Sequence, residues 1–283
     1  SRGLGDVYKR QYIPDIVVAI ILIAGIGLLA YPTIGDYINA LHSSKAIGSY
    51  VEKTKDLSKE EKENLLREAR EYNESLVGKV NRYYLNEEEK KRYAHILDIT
   101  KTGIMAYVEI PKLNIYMPVY HGTDEGVLQI AAGHLPGSSL PVGGENTHSL
   151  ISGHRGLPSA KLFTDIDKLK KGDLFFIHVF DEVLAYKVNQ IKIVLPDDVE
   201  TLEIEKGKDY VTLITCTPYG VNSHRLLVRG ERTVYKQSES KIEDMIKKNN
   251  LKYIMLTAGV ILALIGMTVL VSVFLIKRRK SNY

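Results

Sequence analysis

The sequence of 283 residues has one cysteine, no tryptophan and nine prolines. A single thiol, Cys216, excludes an intramolecular disulfide and any cysteine-based metal cluster, so stability must come from an ordinary hydrophobic core. An excess of one charge is also lacking. Lys and Arg number 38 against 34 Asp and Glu, and the net charge of +4 is too weakly basic for a nucleic-acid binder. No internal repeat, low-complexity stretch, Gly-x-Gly-x-x-Gly fingerprint or Walker motif is present. With 45% hydrophobic and 25% charged residues, the composition fits neither wholesale disorder nor a many-span transporter.

Two apolar runs stand out. Residues 253–276, Tyr253 to Ile276, carry no charge and are long enough for a transmembrane helix, which needs about 20 residues. The basic tail at 277–283 begins Lys277, Arg278, Arg279 and Lys280, which by the positive-inside rule holds the C-terminus in the cytoplasm. The first run, 13–33, holds Asp15 near its start and reaches Pro32. No small-x-small cleavage site precedes Thr33, so an uncleaved anchor is expected over a cleaved signal peptide. Residues 1–12 begin Ser1-Arg2-Gly3 and are set aside as a short segment that need not be native. With both spans in place both termini are cytoplasmic and the segment between them faces outward.

Residues 34–77 read as helical. Ser58 followed by Glu61 fits a capping box, and Leu65, Leu66, Ala69 and Tyr72 recur at helical spacing. Such a helix either packs on something larger or stands as a solvated stalk, and the pattern alone does not choose. Residues 78–102 are strongly charged and read as a connecting or lid-like segment. From Gly103 to residue 236 short β-type runs alternate with Gly and Pro: Ile104–Ile110, Asn114–Tyr120, Ser149–Ser152, Asp173–Val179, Val183–Val194, Tyr210–Thr215 and Arg225–Glu231. With only brief helical candidates such as Ala160–Leu169, they imply a small closed β-barrel or a sandwich. A juxtamembrane segment, 237–252, leads to the second span.

Cys216 ends the apolar run in YVTLITCTPYG, where a rigid strand holds it and a turn leaves it accessible. A reactive thiolate needs a cation or base beside it. His154 lies in a Gly-flanked turn after another short strand, and Arg225 starts the next run after Cys216, where an antiparallel return brings it alongside. Taken singly, each is also consistent with a structural role. His224 alternates to the opposite strand face and is the weaker partner. His121, His134, His148 and His154 lack metal-motif spacing, so no metal site and no cofactor are expected.

Together the stretches YVEIPKLNIYMPVYHGT, AAGHLPGSSLPVGGENTHSLISGHRGLPSAKLFTDIDKLKKGD and TLITCTPYGVNSHRLLVRGER closely resemble a sortase, and within that family the class C, pilin-polymerising group of Gram-positive bacteria. The resemblance implies an eight-stranded β-barrel with an N-terminal helical region and flanking transmembrane helices. It also implies a membrane-anchored cysteine transpeptidase whose catalytic domain is extracellular. By matching motifs, Cys216 is its nucleophile, His154 the acid/base and Arg225 the group that steadies the oxyanion. The implied substrate is an LPXTG-like sorting signal cleaved between Thr and Gly, and the implied acceptor is a lysine amine of a pilin subunit. A sortase that attaches proteins to peptidoglycan, a hydrolytic thiol peptidase and a non-catalytic, membrane-tethered binding domain are the alternatives. One departure stands out. The class commonly carries an Asp-Pro-aromatic lid before the barrel, but Gly78–Thr102 has no proline and Asp98 is followed by Ile99. Either other residues plug the site, with Arg82-Tyr83-Tyr84 and His95-Ile96-Leu97 as the candidates, or there is no inhibitory lid; partial gating is expected.

Overall fold

The computed structural model describes residues 4–235 together with Met255, Ala258, Gly259, Leu262 and Gly266. The apolar run at 253–276 lies outside the described residues apart from those isolated positions, as do the juxtamembrane segment and the basic tail. Residues 38–236 form one compact unit.

The first helix, α1, runs Leu4–Asp56 and continues through Pro32, beyond the end of the apolar run. In its N-terminal part Val17, Val18, Ile20 to Ile23, Leu28 and Leu29 are all exposed, a distribution suited to lipid. It is the one helix among the described residues long and apolar enough to cross a membrane. Farther on, Ser43, Ile47, Tyr50 and Thr54 are buried at helical spacing. The Tyr50 hydroxyl donates to the Met105 carbonyl (3.1 Å) and accepts from the Phe180 amide (3.0 Å), which pins the helix to the domain.

Helix α2, Lys59–Leu76, starts at the capping box formed by Ser58 and Glu61. It packs instead of standing as a stalk. Leu66, Ala69, Tyr72, Asn73 and Leu76 are buried, and the Asn73 side chain both donates to the Leu140 carbonyl and accepts from its amide. Within the charged segment that follows lies helix α3, Glu87–His95, with its own capping box from Asn86 to Glu89. It buries Tyr93, and Ile96 and Leu97 behind it are fully buried in the core.

The rest is a closed barrel. Its strands are β1 (Ile104–Ile110), β2 (Ile115–His121), β3 (Ala132–His134), β4 (Thr147–Ser152), β5 (Leu174–Val179), β6 (Glu182–Val194), β7 (Asp209–Thr217) and β8 (His224–Arg232). They close in the order β1-β2-β3-β4-β7-β8-β6-β5, with β2–β3 and β4–β7 parallel. Strand periodicity sorts the side chains: Val211, Leu213, Leu226 and Val228 join the main core, whereas Leu150, Ile214 and Leu227 form a smaller apolar cluster with Leu202. Strand β3 was absent from the sequence reading. The helix expected over Ala160–Leu169 does not form. Leu162 takes a positive φ of 39°, and only a 3-10 turn at Ile166–Lys168 is helical. Leu162, Phe163, Ile166 and Leu169 still reach the core, so turns supply the spacing that suggested a helix.

Candidate functional site

Cys216 sits one residue from the end of β7 and is half-buried. Alternation along β7 puts it on the face of Ile214, outside the main core. Strand β8 runs antiparallel beside it, and the register pairs Cys216 with Arg225 and Thr217 with His224. Cross-strand partners have Cβ atoms about 4.5–5.5 Å apart, so Arg225 is the cation beside the thiol, and His224 points to the other face. Arg225 Nη1 donates to the carbonyls of Asn222 and His224, both at 3.2 Å. This holds the guanidinium at the turn that follows the thiol.

His154 arrives from the opposite side of β7. Strands β4 and β7 run parallel with Ser152 paired to Ile214. Two residues on from these partners come His154 and Cys216. The approach is locked by Gly153, whose amide donates to the Ile214 carbonyl (3.0 Å) and whose carbonyl accepts from the Thr215 hydroxyl (2.7 Å). Gly153 has to be glycine: a Cβ there would lie 2.6 Å from the Phe163 ring. The Phe163 amide in turn donates to the His154 carbonyl (3.1 Å). Three adjacent strands thus bring all three expected side chains to one end of the barrel.

Two charged neighbours escaped the sequence reading. After β2 comes the short helix α4, Glu125–Leu128. Its Glu125 carboxylate faces His154 Nε2 at 3.6 Å, longer than a hydrogen bond, and that ring nitrogen is buried without a hydrogen-bond partner. A hydrogen bond from Gln129, with a smaller contribution from His154, holds the Glu125 carboxyl below its usual range. The second is Arg155, next to His154 in the chain. Neither role has a local signal, because Glu125 meets His154, and Arg155 meets Thr217, only across distant segments.

Below the thiol the small apolar cluster of Leu150, Leu202, Ile214 and Leu227 is packed by Tyr83, Leu135 and Val194. Tyr83 therefore covers the face of β7 that bears Cys216. Its neighbour Arg82 is buried, with Nη2 donating to the Leu202 carbonyl (2.6 Å) and to the Tyr83 hydroxyl (2.7 Å). Glu203 lies 3.8 Å from the same guanidinium. Tyr84 is exposed, and Ile96 and Leu97 belong to the core. Of the two lid candidates, Arg82-Tyr83 is the pair on this face. A cavity of about 730 Å³ opens beside it, between residues 76–84 and the β6–β7 loop.

The other histidines of the sequence cluster are engaged separately. His121 faces the carbonyls of Gly103 and Ile96, His134 faces Tyr93 and the Ser139 carbonyl, and His148 faces Thr212 and the Glu203 carbonyl. Burial pushes His134 down to about 3 and His148 down to about 4. Among the described residues no group of three His, Cys, Asp or Glu is placed to hold a metal.

Comparison with known proteins agrees with the fold. A sortase-domain family model matches residues 108–233. The crystal structure of sortase C1 from Streptococcus agalactiae superposes with a TM-score of 0.66 at 49% identity, covering 68% of this chain and all of that one. Sortase C of Streptococcus pneumoniae gives 0.62 at 47% identity, covering 69% and 99%. Among curated relatives, sortase A of Streptococcus agalactiae is 28% identical over 153 residues, 53% of this chain. That match spans 61% of the relative's own length.

Proposed function

This chain belongs to the sortase family of cysteine transpeptidases, within its class C, and we propose that it joins pilin subunits through an LPXTG-like sorting signal. The observation that carries the reading is the convergence of Cys216, Arg225 and His154 from β7, β8 and the end of β4. The Cys216 thiolate attacks the Thr carbonyl carbon of the Thr–Gly bond. A C–S bond forms and the carbonyl oxygen takes up negative charge, which the Arg225 guanidinium stabilises. As the C–N bond breaks, protonated His154 gives its proton to the departing glycine amine. A lysine ε-amine then attacks the thioacyl carbon and loses a proton to His154. The C–S bond breaks, leaving an isopeptide bond and a restored thiolate.

The N-terminal apolar helix anchors the enzyme, the second apolar run anchors it again, and the barrel works outside the cell with both termini in the cytoplasm. Arg82 and Tyr83 gate the site in place of the class's Asp-Pro-aromatic lid. The pilin acceptor is favoured by the likeness to sortase C structures, one of which is described for pilin substrate specificity.

The test is acceptor choice. The full-length chain in detergent micelles is given an LPXTG-type donor peptide with a lysine-bearing peptide, a peptidoglycan-type amine or neither. The reading expects the lysine conjugate to dominate. A dominant cell-wall conjugate would assign the enzyme to anchoring, and free acid in all three would make it a peptidase.

A further inference from the structure

Arg155 follows His154, and Thr217 follows Cys216. The two successors touch: Arg155 Nη1 donates to the Thr217 hydroxyl at 3.3 Å. Its other terminal nitrogen, Nη2, meets the Asp167 carboxylate at 2.5 Å, within the 3-10 turn at Ile166–Lys168. The guanidinium carbon also lies 6.0 Å from the centre of the Tyr219 ring, in the turn after β7. The side chain is only 10% exposed, and its Nε is buried without a partner. One buried side chain thus spans three segments: the histidine loop, the end of the cysteine strand and the turn behind both.

We infer that Arg155 is a positioning residue that fixes the separation of His154 from Cys216. This rests on the transpeptidase reading above. The bonds between the end of β4 and β7, from the Gly153 amide to the Ile214 carbonyl and from the Thr215 hydroxyl to the Gly153 carbonyl, stop one residue short of each reacting side chain. Past that point the histidine loop turns away toward Phe163, and the cysteine strand turns at Pro218 to Gly220. Arg155 ties the two where they diverge. A lysine does not replace it, because a single ammonium lacks the planar fork that serves Thr217 and Asp167 together. Gly156 completes the fit: its φ is +80°, and a Cβ there would come 3.2 Å from the Tyr219 ring. Arg155 touches no reacting atom. It acts by keeping the imidazole where proton transfer to the leaving amine is short, and such geometry controls the chemical step more than substrate binding.

The test is single-turnover acylation of the full-length chain in detergent, with an LPXTG-type peptide and intact-mass detection of the adduct on the sole cysteine. Arg155→Ala, Arg155→Lys and Thr217→Val are compared with the unaltered chain after thermal unfolding has established that each is folded at the assay temperature. The expected result for Arg155→Ala is acylation at least ten-fold slower at saturating peptide, with the half-saturating concentration changed less than two-fold. Arg155→Lys should recover little of the rate. Thr217→Val should cause a smaller loss that disappears in the Arg155→Ala background. An Arg155→Ala rate within two-fold of the unaltered chain, or a loss confined to half-saturation, overturns the inference. Should Arg155→Ala fail to fold, strictly additive losses for Arg155→Lys and Thr217→Val overturn it. If the unaltered chain forms no adduct at all, the transpeptidase reading itself falls, which is a distinct result.

Discussion

Cys216 and Arg225 are directly paired across the antiparallel β7–β8 ladder, nine positions apart in the chain. The pairing makes their spacing a property of the sheet, set by backbone hydrogen bonds and independent of loop mobility. In the proposed mechanism, a nucleophile and an oxyanion donor held on neighbouring strands cost little reorganisation when charge develops.

Arg225→Ala should therefore slow acylation by about 100- to 1,000-fold, the usual loss of one preorganised oxyanion donor, or about 2.7–4 kcal/mol. Arg225→Lys should recover only part of it. Stopped single-turnover reactions analysed by mass would measure this. Equal acylation rates in the alanine variant and the unaltered chain would remove Arg225 from the chemical step.

The Arg82-Tyr83 pair lies over the same strand face, and its grip is chiefly the guanidinium bond to the Leu202 carbonyl. Arg82→Ala should loosen residues 79–85 and speed alkylation of Cys216 by a small haloacetamide several-fold. Gly137→Ala should do the same by another route: a Cβ at Gly137 would collide with the Arg82 carbonyl oxygen. Unchanged alkylation rates in both variants would mean that the segment does not gate the thiol.

Acid sensitivity should follow the two buried histidines. His134 and His148 are held by burial at about 3 and about 4, below the 6.5 of a free imidazole. Between those limits the unfolded chain binds protons that the folded chain refuses, so stability is greatest above pH 6.5 and falls as pH drops. Each histidine contributes at most about 1.4 kcal/mol per pH unit. Denaturant midpoints measured from pH 7 to 4.5 should show this decline, with a shallower slope for His148→Gln. An identical slope in that variant would assign the acid sensitivity to other groups.

Tyr50 ties α1 to the barrel through two buried bonds. Tyr50→Phe strands the Phe180 amide and the Met105 carbonyl, and should cost about 1–3 kcal/mol of unfolding free energy. A loss well under 1 kcal/mol in chemical denaturation would mean that water replaces the hydroxyl.

Much of this architecture was legible because it is local. The strands of the barrel announce themselves through apolar runs broken by Gly and Pro, and the capping box at Ser58 marks the start of α2. Cys216 and Arg225 were readable because a turn and an antiparallel return bring them together. What escaped depends on length or distance. Strand β3 has only three residues, one of them Gly133, too few for an alternation to appear. Helix α3 has a capping box but buries only Tyr93, so it lacks the apolar stripe that marks a packed helix. Ala160–Leu169 misled in the opposite sense, because successive turns delivered apolar residues at helical spacing. Glu125 precedes His154 by a full hairpin's length, and Arg155 finds its partners only after the barrel has closed. Their roles are written in the fold and have no counterpart in any short motif.

The central claim is that Cys216 carries the acyl group between donor and acceptor. Its most direct test is the mass of the intact chain after mixing with an LPXTG-type peptide and then with a lysine-bearing acceptor. A thioacyl adduct that maps to Cys216, is absent in Cys216→Ala and passes quantitatively to the lysine amine is the predicted result. A conjugate that forms equally well in Cys216→Ala would contradict the account.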